Sequence, residues 1–146
     1  MKISTKGRYA LRLMTDIAVH SNGENVSIKD IARRENISEK YLEQIVRDLC
    51  KVGYLKSTRG SQGGYKLTRE PKDYKVGDIL RITEGKLAPI SCLMDDVNMC
   101  PRASMCAGMD FWEGLYKVIN EYVDSYTLED LAENKIKIEC NATYDI

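Results

Sequence analysis

Three of the chain's five cysteines fall within fifteen residues, Cys-Leu-Met-Asp-Asp-Val-Asn-Met-Cys-Pro-Arg-Ala-Ser-Met-Cys, from Cys92 to Cys106. Seven residues separate Cys92 from Cys100 and five separate Cys100 from Cys106. The segment is rich in Asp, Asn, Ser and Pro, and no apolar periodicity explains the thiols as core. Thiolates select zinc, copper(I) and iron-sulfur clusters, so the chemistry that these residues offer is capture of a soft metal. The paired Cys-x-x-Cys of zinc ribbons is absent, and no fourth ligand stands out. What such a site is for depends on the elements that flank it.

A chain of 146 residues is long enough for one ordinary core or for a small domain with an added oligomerisation element. Its formal net charge of zero conceals an asymmetry. Residues 1–75 carry 16 Lys and Arg against 9 Asp and Glu, net +7, and residues 76–146 carry 6 against 13, net −7. A basic first half is suited to a polyanion, while the acidic half serves another purpose. The opening residues show no signal peptide and no membrane span. A cytoplasmic protein with no membrane partner is expected, in which thiols stay reduced and an odd cysteine count signals ligand or sensor roles.

In chain order, Ser4, Thr5 and Gly7 open a helix in which Ala10, Leu11, Leu13, Met14, Ile17 and Ala18 recur at helical spacing. His20, the single histidine, sits in its last turn, where the helix dipole favours a cation. Ser27 begins a short helix, and Ser38 caps a second one that runs from Glu39 to about Val52. Two short helices joined by a tight turn form a helix-turn-helix. In the second, Leu42, Ile45, Val46 and Leu49 form the buried stripe, while Lys40, Gln44, Arg47 and Lys51 line the other side, where they offer donors to bases and phosphates. Tyr41 and Glu43 flank the stripe. A carboxylate repels phosphate, but Glu43 is able to accept from a cytosine amino group and so select sequence.

Tyr54 to Thr58 and Tyr65 to Thr68 read as two strands around Arg59-Gly60-Ser61-Gln62-Gly63-Gly64. A hairpin directly after a recognition helix is a wing, and Arg59 at its tip suits a narrow minor groove. A phosphate-binding loop is excluded because a strand, and no helix, follows Gly64.

Thr5-Lys6-Gly7-Arg8-Tyr9-Ala10, Tyr41-Leu42-Glu43-Gln44, Arg59-Gly60, Gly63-Gly64-Tyr65, Val76-Gly77-Asp78-Ile79 and Thr127-Leu128-Glu129-Asp130-Leu131 occur in the order found in the IscR-type winged-helix transcription regulators, whose relatives include NsrR and CymR. The chain resembles that family over nearly its whole length. The resemblance implies a homodimer that binds double-stranded, pseudo-palindromic operator DNA as a repressor or dual regulator, and no enzymatic activity. DNA contacts are expected from Ser38, Lys40, Tyr41, Glu43, Gln44, Arg47, Lys51 and Arg59. Cys92, Cys100 and Cys106 match the cysteines that hold an iron-sulfur cluster in many members, with [2Fe-2S] favoured over [4Fe-4S]. The first cysteine spacing is longer here than in IscR itself. Met109 stands where that protein has its histidine ligand, and Arg8 occupies the position from which some relatives supply a carboxylate. Asp110, Met109, a partner residue or an exogenous thiol remain open as fourth ligand. A regulator of the same fold without a cluster, sensing a small molecule, thiol redox state or a partner protein of sulfur metabolism, is the alternative.

Val76 to Glu84 reads as a short helix closed by Gly85, and Pro89 and Pro101 keep the following loop out of helix. From Met109 to about Tyr126, Phe111, Trp112, Leu115, Val118, Ile119, Tyr122 and Val123 form a long apolar stripe, more than one small domain readily covers. Packing on its twin is its expected use. Thr127 and Asp130 cap a last short helix, and residues 133–146 read as a partly ordered tail. Cys50 reads as a small apolar residue and Cys140 as an incidental thiol. The expected architecture is mainly α with a small β-hairpin wing. It comprises a winged helix-turn-helix DNA-binding domain (1–75), a linker helix and cysteine-containing sensor loop (76–108), a long dimerisation helix with a short terminal helix (109–132), and the tail.

Overall fold

The computed structural model describes residues 1–144. Serine side chains start its first three helices. Ser4 accepts from the Gly7 N–H ahead of α1 (Thr5–His20), Ser27 from the Asp30 N–H ahead of α2 (Ile28–Glu35), and Ser38 from the Tyr41 N–H ahead of α3 (Glu39–Lys51). The tight turn between α2 and α3 begins at Asn36, whose left-handed backbone (φ 54°, ψ 48°) ends α2. The two strands, β1 (Leu55–Thr58) and β2 (Gly64–Leu67), pair antiparallel with Leu55 opposite Leu67 and Thr58 opposite Gly64. After a short 3-10 turn come α4 (Val76–Glu84), the cysteine loop, α5 (Met109–Ser125) and α6 (Leu128–Tyr144). The mainly helical architecture with its hairpin wing is the one expected.

The core gathers Leu13, Met14 and Ile17 of α1, Leu42, Ile45 and Leu49 of α3, Tyr74, Ile79 of α4 and Leu128 of α6, all almost fully buried. Thus the apolar stripe of α3 is consumed inward, which leaves its polar side facing out. A smaller cluster of Val76, Leu80 and Leu87 takes Ile119 and Val123 of α5. The chain between α5 and α6 runs beside the start of α4, where the Val76 N–H donates to Tyr126 O and the Leu128 N–H to Tyr74 O, both at 2.9 Å.

The tail reading is corrected over the described residues. Helix α6 continues for 17 residues to Tyr144, as long as α5, so the terminal helix is not short and residues 133–144 are helical. Its start is the expected box: the Thr127 N–H donates to Asp130 Oδ2 at 2.8 Å and the Asp130 N–H to Thr127 Oγ1 at 3.3 Å. Leu128 and Ala132 are then buried, and Lys135 reaches Asp16 and Glu35. Asp16 is fully buried yet fully satisfied, since Arg34 donates to both its oxygens at 2.9 and 2.8 Å, while Lys135 Nζ and His20 Nδ1 each lie 3.4 Å away. The Asp16 hydrogen bond, above all, raises the Arg34 pKa against the opposing effect of burial. Removing one member of such a group strands a buried charge, which costs about 3–5 kcal/mol. Residues 136–143 are exposed, and the absence of Gly and Pro from 133 to 144 lets the helix propagate.

Candidate nucleic-acid interface and cysteine loop

Lys40, Glu43, Gln44, Arg47 and Lys51 all stand exposed on the outer side of α3, and Ser38 lies at its N-terminus. Tyr41 is half-buried. Its ring meets Tyr9 of α1 edge-on at 5.6 Å, and the Arg12 guanidinium covers Tyr9 at 5.1 Å, so the Tyr41 ring helps to fix α3 on α1. Lys6 and Asp48, paired with each other, complete a concavity of about 360 Å³ with Lys40, Glu43, Gln44 and Arg47. Lys6 is a site-lining cation that helical periodicity overlooks, because it arrives from the first turn of another helix.

The wing borders α3 across a second groove of about 380 Å³, lined by Glu43, Val46, Arg47, Cys50, Ser57 and Tyr65. Burial pushes the Cys50 thiol and the Tyr65 hydroxyl up, so both keep their protons through neutral pH. Tyr74 locks the base of the wing: its hydroxyl donates to Tyr54 O at 2.9 Å and accepts from the N–H groups of Thr68 (3.0 Å) and Arg69 (3.1 Å). Arg69 stacks over Tyr54 at 5.0 Å. Gly64 lets the wing lie against the body, because φ is +149° and an added Cβ would come within 2.7 Å of the Val26 carbonyl carbon. Val26 bonds to Tyr65 in both directions there, at 2.9 and 2.8 Å. Arg59 is exposed in the turn of this hairpin, next to Gly60 with φ +107°.

The cysteine loop carries only 3-10 turns, Ser91–Leu93 and Ala103–Met105, in keeping with its prolines. Cys92 and Cys100 are half-buried, Cys106 is exposed, and all three are free. Asn98 braces the loop, since its Oδ1 accepts from the Cys100 N–H at 2.9 Å and its Nδ2 lies 3.6 Å from Met109 Sδ. Among the described residues no three His, Cys, Asp or Glu side chains are gathered as a metal site. The three thiols suit an iron-sulfur cluster by donor chemistry, but this conformation does not bring Cys92, Cys100 and Cys106 together. Arg8 bonds Thr5 Oγ1 at 3.1 Å, and His20 is engaged with Asp16.

Two clasps tie α4, the helix before this loop, to α5 and to the start of α1. Arg81 of α4 donates to both oxygens of Asp124 at 2.9 Å and to Asn120 Oδ1 at 2.7 Å on α5, and to Asp78 at 3.0 Å. Gly77 permits the approach, as a Cβ there would meet Val123 Cγ2 at 2.8 Å. At the other end of α4, Glu84 accepts from the Ser4 N–H at 3.1 Å and from the Ser4 hydroxyl, at the N-terminus of α1. Helix α5 buries none of its residues fully, and Phe111, Val118 and Tyr122 are 64%, 59% and 63% exposed.

Residues 3–134 match the model of the Rrf2 family, described as an iron-dependent transcriptional regulator. The chain is 42% identical over 132 residues to the protein rrf2 of Nitratidesulfovibrio vulgaris, covering 90% of this chain and 87% of that one. It superposes on CymR, the global cysteine regulator of B. subtilis, with a TM-score of 0.76 and 40% identity over 92% of this chain and 98% of that one. For T. potens IscR the TM-score is 0.73 with 43% identity, over 92% and 88% of the two chains. These relatives are transcription regulators, not enzymes, and they share the fold built here around a helix-turn-helix and wing. The chain belongs to the Rrf2 family of DNA-binding transcription regulators.

Proposed function

We propose that the protein is a cytoplasmic, homodimeric repressor or dual regulator, and that it binds double-stranded operator DNA through Ser38, Lys40, Tyr41, Glu43, Gln44, Arg47 and Lys51 of the α3 region, with Arg59 of the wing in the minor groove. The observation that carries this reading is the wholly exposed polar side of α3 beside an arginine-tipped hairpin, on the basic half of the chain. The unpartnered apolar face of α5 supports pairing with a second copy, which sets two recognition helices for two half-sites. Residues 1–75 then act as the DNA-binding unit, 76–108 as input, and 109–132 as the dimer element, with 133–144 strapping α6 onto the DNA-binding unit through Lys135.

The input in this reading is an iron-sulfur cluster, [2Fe-2S] by resemblance, on Cys92, Cys100 and Cys106. When bound, a cluster supplies a crosslink among the three thiols that answers to iron, sulfide and oxidants. The chain's own part is mechanical. Closure of the loop bears on Met109 and α5 at one end and on Leu87 and α4 at the other; the Arg81 clasp makes α4 and α5 move together, and the Glu84 clasp passes the change to α1, on which α3 packs through Tyr9 and Tyr41. A difference of about 1–3 kcal/mol between loop states changes operator affinity roughly 5–150-fold. Anaerobic reconstitution with quantified iron and acid-labile sulfide is the test: visible charge-transfer absorption that Cys92→Ala abolishes is expected, and a colourless, iron-free protein overturns the cluster.

One observation favours a second reading, a cluster-free regulator that answers to a small molecule, thiol redox state or a partner protein of sulfur metabolism. The three thiols are not gathered, and the chain is as similar to CymR as to IscR. Operator binding that is unaffected by loss of all three cysteines supports it.

A further inference from the structure

Methionine is an apolar side chain that folded chains bury, as this one does with Met14 in its core. Yet three of its six methionines, Met94, Met99 and Met105, lie in the cysteine segment, and a fourth, Met109, opens α5 just after it. Met94 is 42% exposed, and Met99 and Met105 are each 77% exposed. Every cysteine of the loop has a methionine beside it: Met94 follows Cys92 by two residues, Met99 directly precedes Cys100, and Met105 directly precedes Cys106. The segment between the last two pairs is folded back on itself. The Ala103 N–H donates to Cys100 O at 3.1 Å, the Met105 N–H to Arg102 O at 3.0 Å, and the Cys106 N–H to Ala103 O at 3.4 Å. Two thiol-thioether pairs therefore bracket one compact double turn, and no histidine stands in the loop.

An iron-sulfur cluster on the three thiols takes at most one further ligand from the chain, so it leaves at least two of these three exposed thioethers without a role. Thiolate and thioether together select monovalent copper, a soft cation. We propose that residues 99–106 form a Cu(I) site, with the sulfurs of Cys100 and Cys106 as thiolate ligands and those of Met99 and Met105 as thioether ligands. On binding, the two thiols release their protons, the metal stays Cu(I), and no electron is transferred. Two thiolates and one Cu(I) leave a single negative charge, and exposed Arg102 stands within the same turn. The proposal does not depend on the cluster, but the two occupants exclude one another because both need Cys100 and Cys106.

The test is anaerobic titration of the reduced, iron-free full-length protein against the Cu(I)–bicinchoninate complex. Withdrawal of about one Cu(I) per chain is expected. The double variant Met99→Leu/Met105→Leu, which keeps side-chain volume, weakens this affinity about tenfold or more, equivalent to about 1.4 kcal/mol. Iron and sulfide uptake by the same variant stays at the wild-type level if a cluster forms, so a failure of the copper site is distinguishable from a failure of the cluster. No withdrawal of Cu(I) by the wild type, or equal affinity of the wild type and the double variant, overturns the proposal.

Discussion

Arg81 and Asp124 meet through two N–H···O bonds of 2.9 Å each, and they join the helix before the cysteine loop to the helix after it. Between them the two residues span the loop like a clasp at its neck. Asp124, above all, keeps the Arg81 guanidinium pKa raised, with Asp78 adding to the effect. Asp124→Asn removes the charge and one parallel bond. We expect the unfolding free energy to fall by about 1–2 kcal/mol, because a bidentate charge-assisted pair is strong but both side chains keep part of their surface in water. Urea denaturation checks this, and Arg81→Lys should also lower stability although it keeps the charge, since an ammonium cannot make the parallel fork.

Gly64 is the position where the wing tolerates no side chain. Gly64→Ala forces a Cβ onto the Val26 backbone at a φ of +149°. A cost of about 1–3 kcal/mol is expected from such a conformation, together with weaker operator binding as the hairpin shifts. Chemical denaturation and a DNA titration on the same variant measure both; a variant with the wild-type midpoint contradicts the steric account.

For DNA recognition, Arg59→Ala should weaken binding and lower the slope of log affinity against log salt by about 1. If Glu43 accepts from a cytosine amino group as proposed, Glu43→Ala should relax base preference more than it alters affinity, because a carboxylate gains nothing from phosphate. Titrations of operator and of single-base variants at several salt concentrations separate the two. Unchanged slope in Arg59→Ala removes that arginine from the interface.

Cys50 sits in the groove between α3 and the wing, where burial holds its thiol pKa up. The thiolate is the nucleophile, so alkylation of Cys50 should lag behind that of exposed Cys106 at pH 8, as peptide mass mapping after a timed iodoacetamide pulse would show. The raised value also has a sign for stability. The folded state keeps a proton that the unfolded state has lost, so stability is unaffected below the ordinary thiol pKa and declines as pH rises through it towards the folded value. Cys50→Ala should flatten that part of the decline in urea midpoints measured from pH 7 to 10.

Much of the interface is local and therefore readable in order along the chain. Ser27 and Ser38 cap the two helices with their own side chains, the stripe from Leu42 to Leu49 fixes which side of α3 is buried, and the glycines around Arg59 require a hairpin. The cysteine spacing and the apolar run of α5 are likewise properties of short windows. The error over residues 133–144 has a physical cause: apolar periodicity fades after Ala132, and what secures that end of the chain is a charge. Lys135 reaches Asp16 across 119 residues, and nothing near either residue announces the other.

The same distinction divides the protein as a whole. The helix-turn-helix, the wing, the soft-donor content of the loop and the excess apolar face of α5 are all legible in the residue order, because capping, turn geometry and periodicity act over a few residues. The packing of the helices is what buries the Asp16 carboxyl against Arg34, brings Lys6 into the α3 concavity, clasps Arg81 to α5 and holds Cys92, Cys100 and Cys106 apart in this conformation. Those outcomes depend on which helices meet. That is set by the packing of one shared core around α1, where long-range contacts, rather than local preference, choose the neighbours.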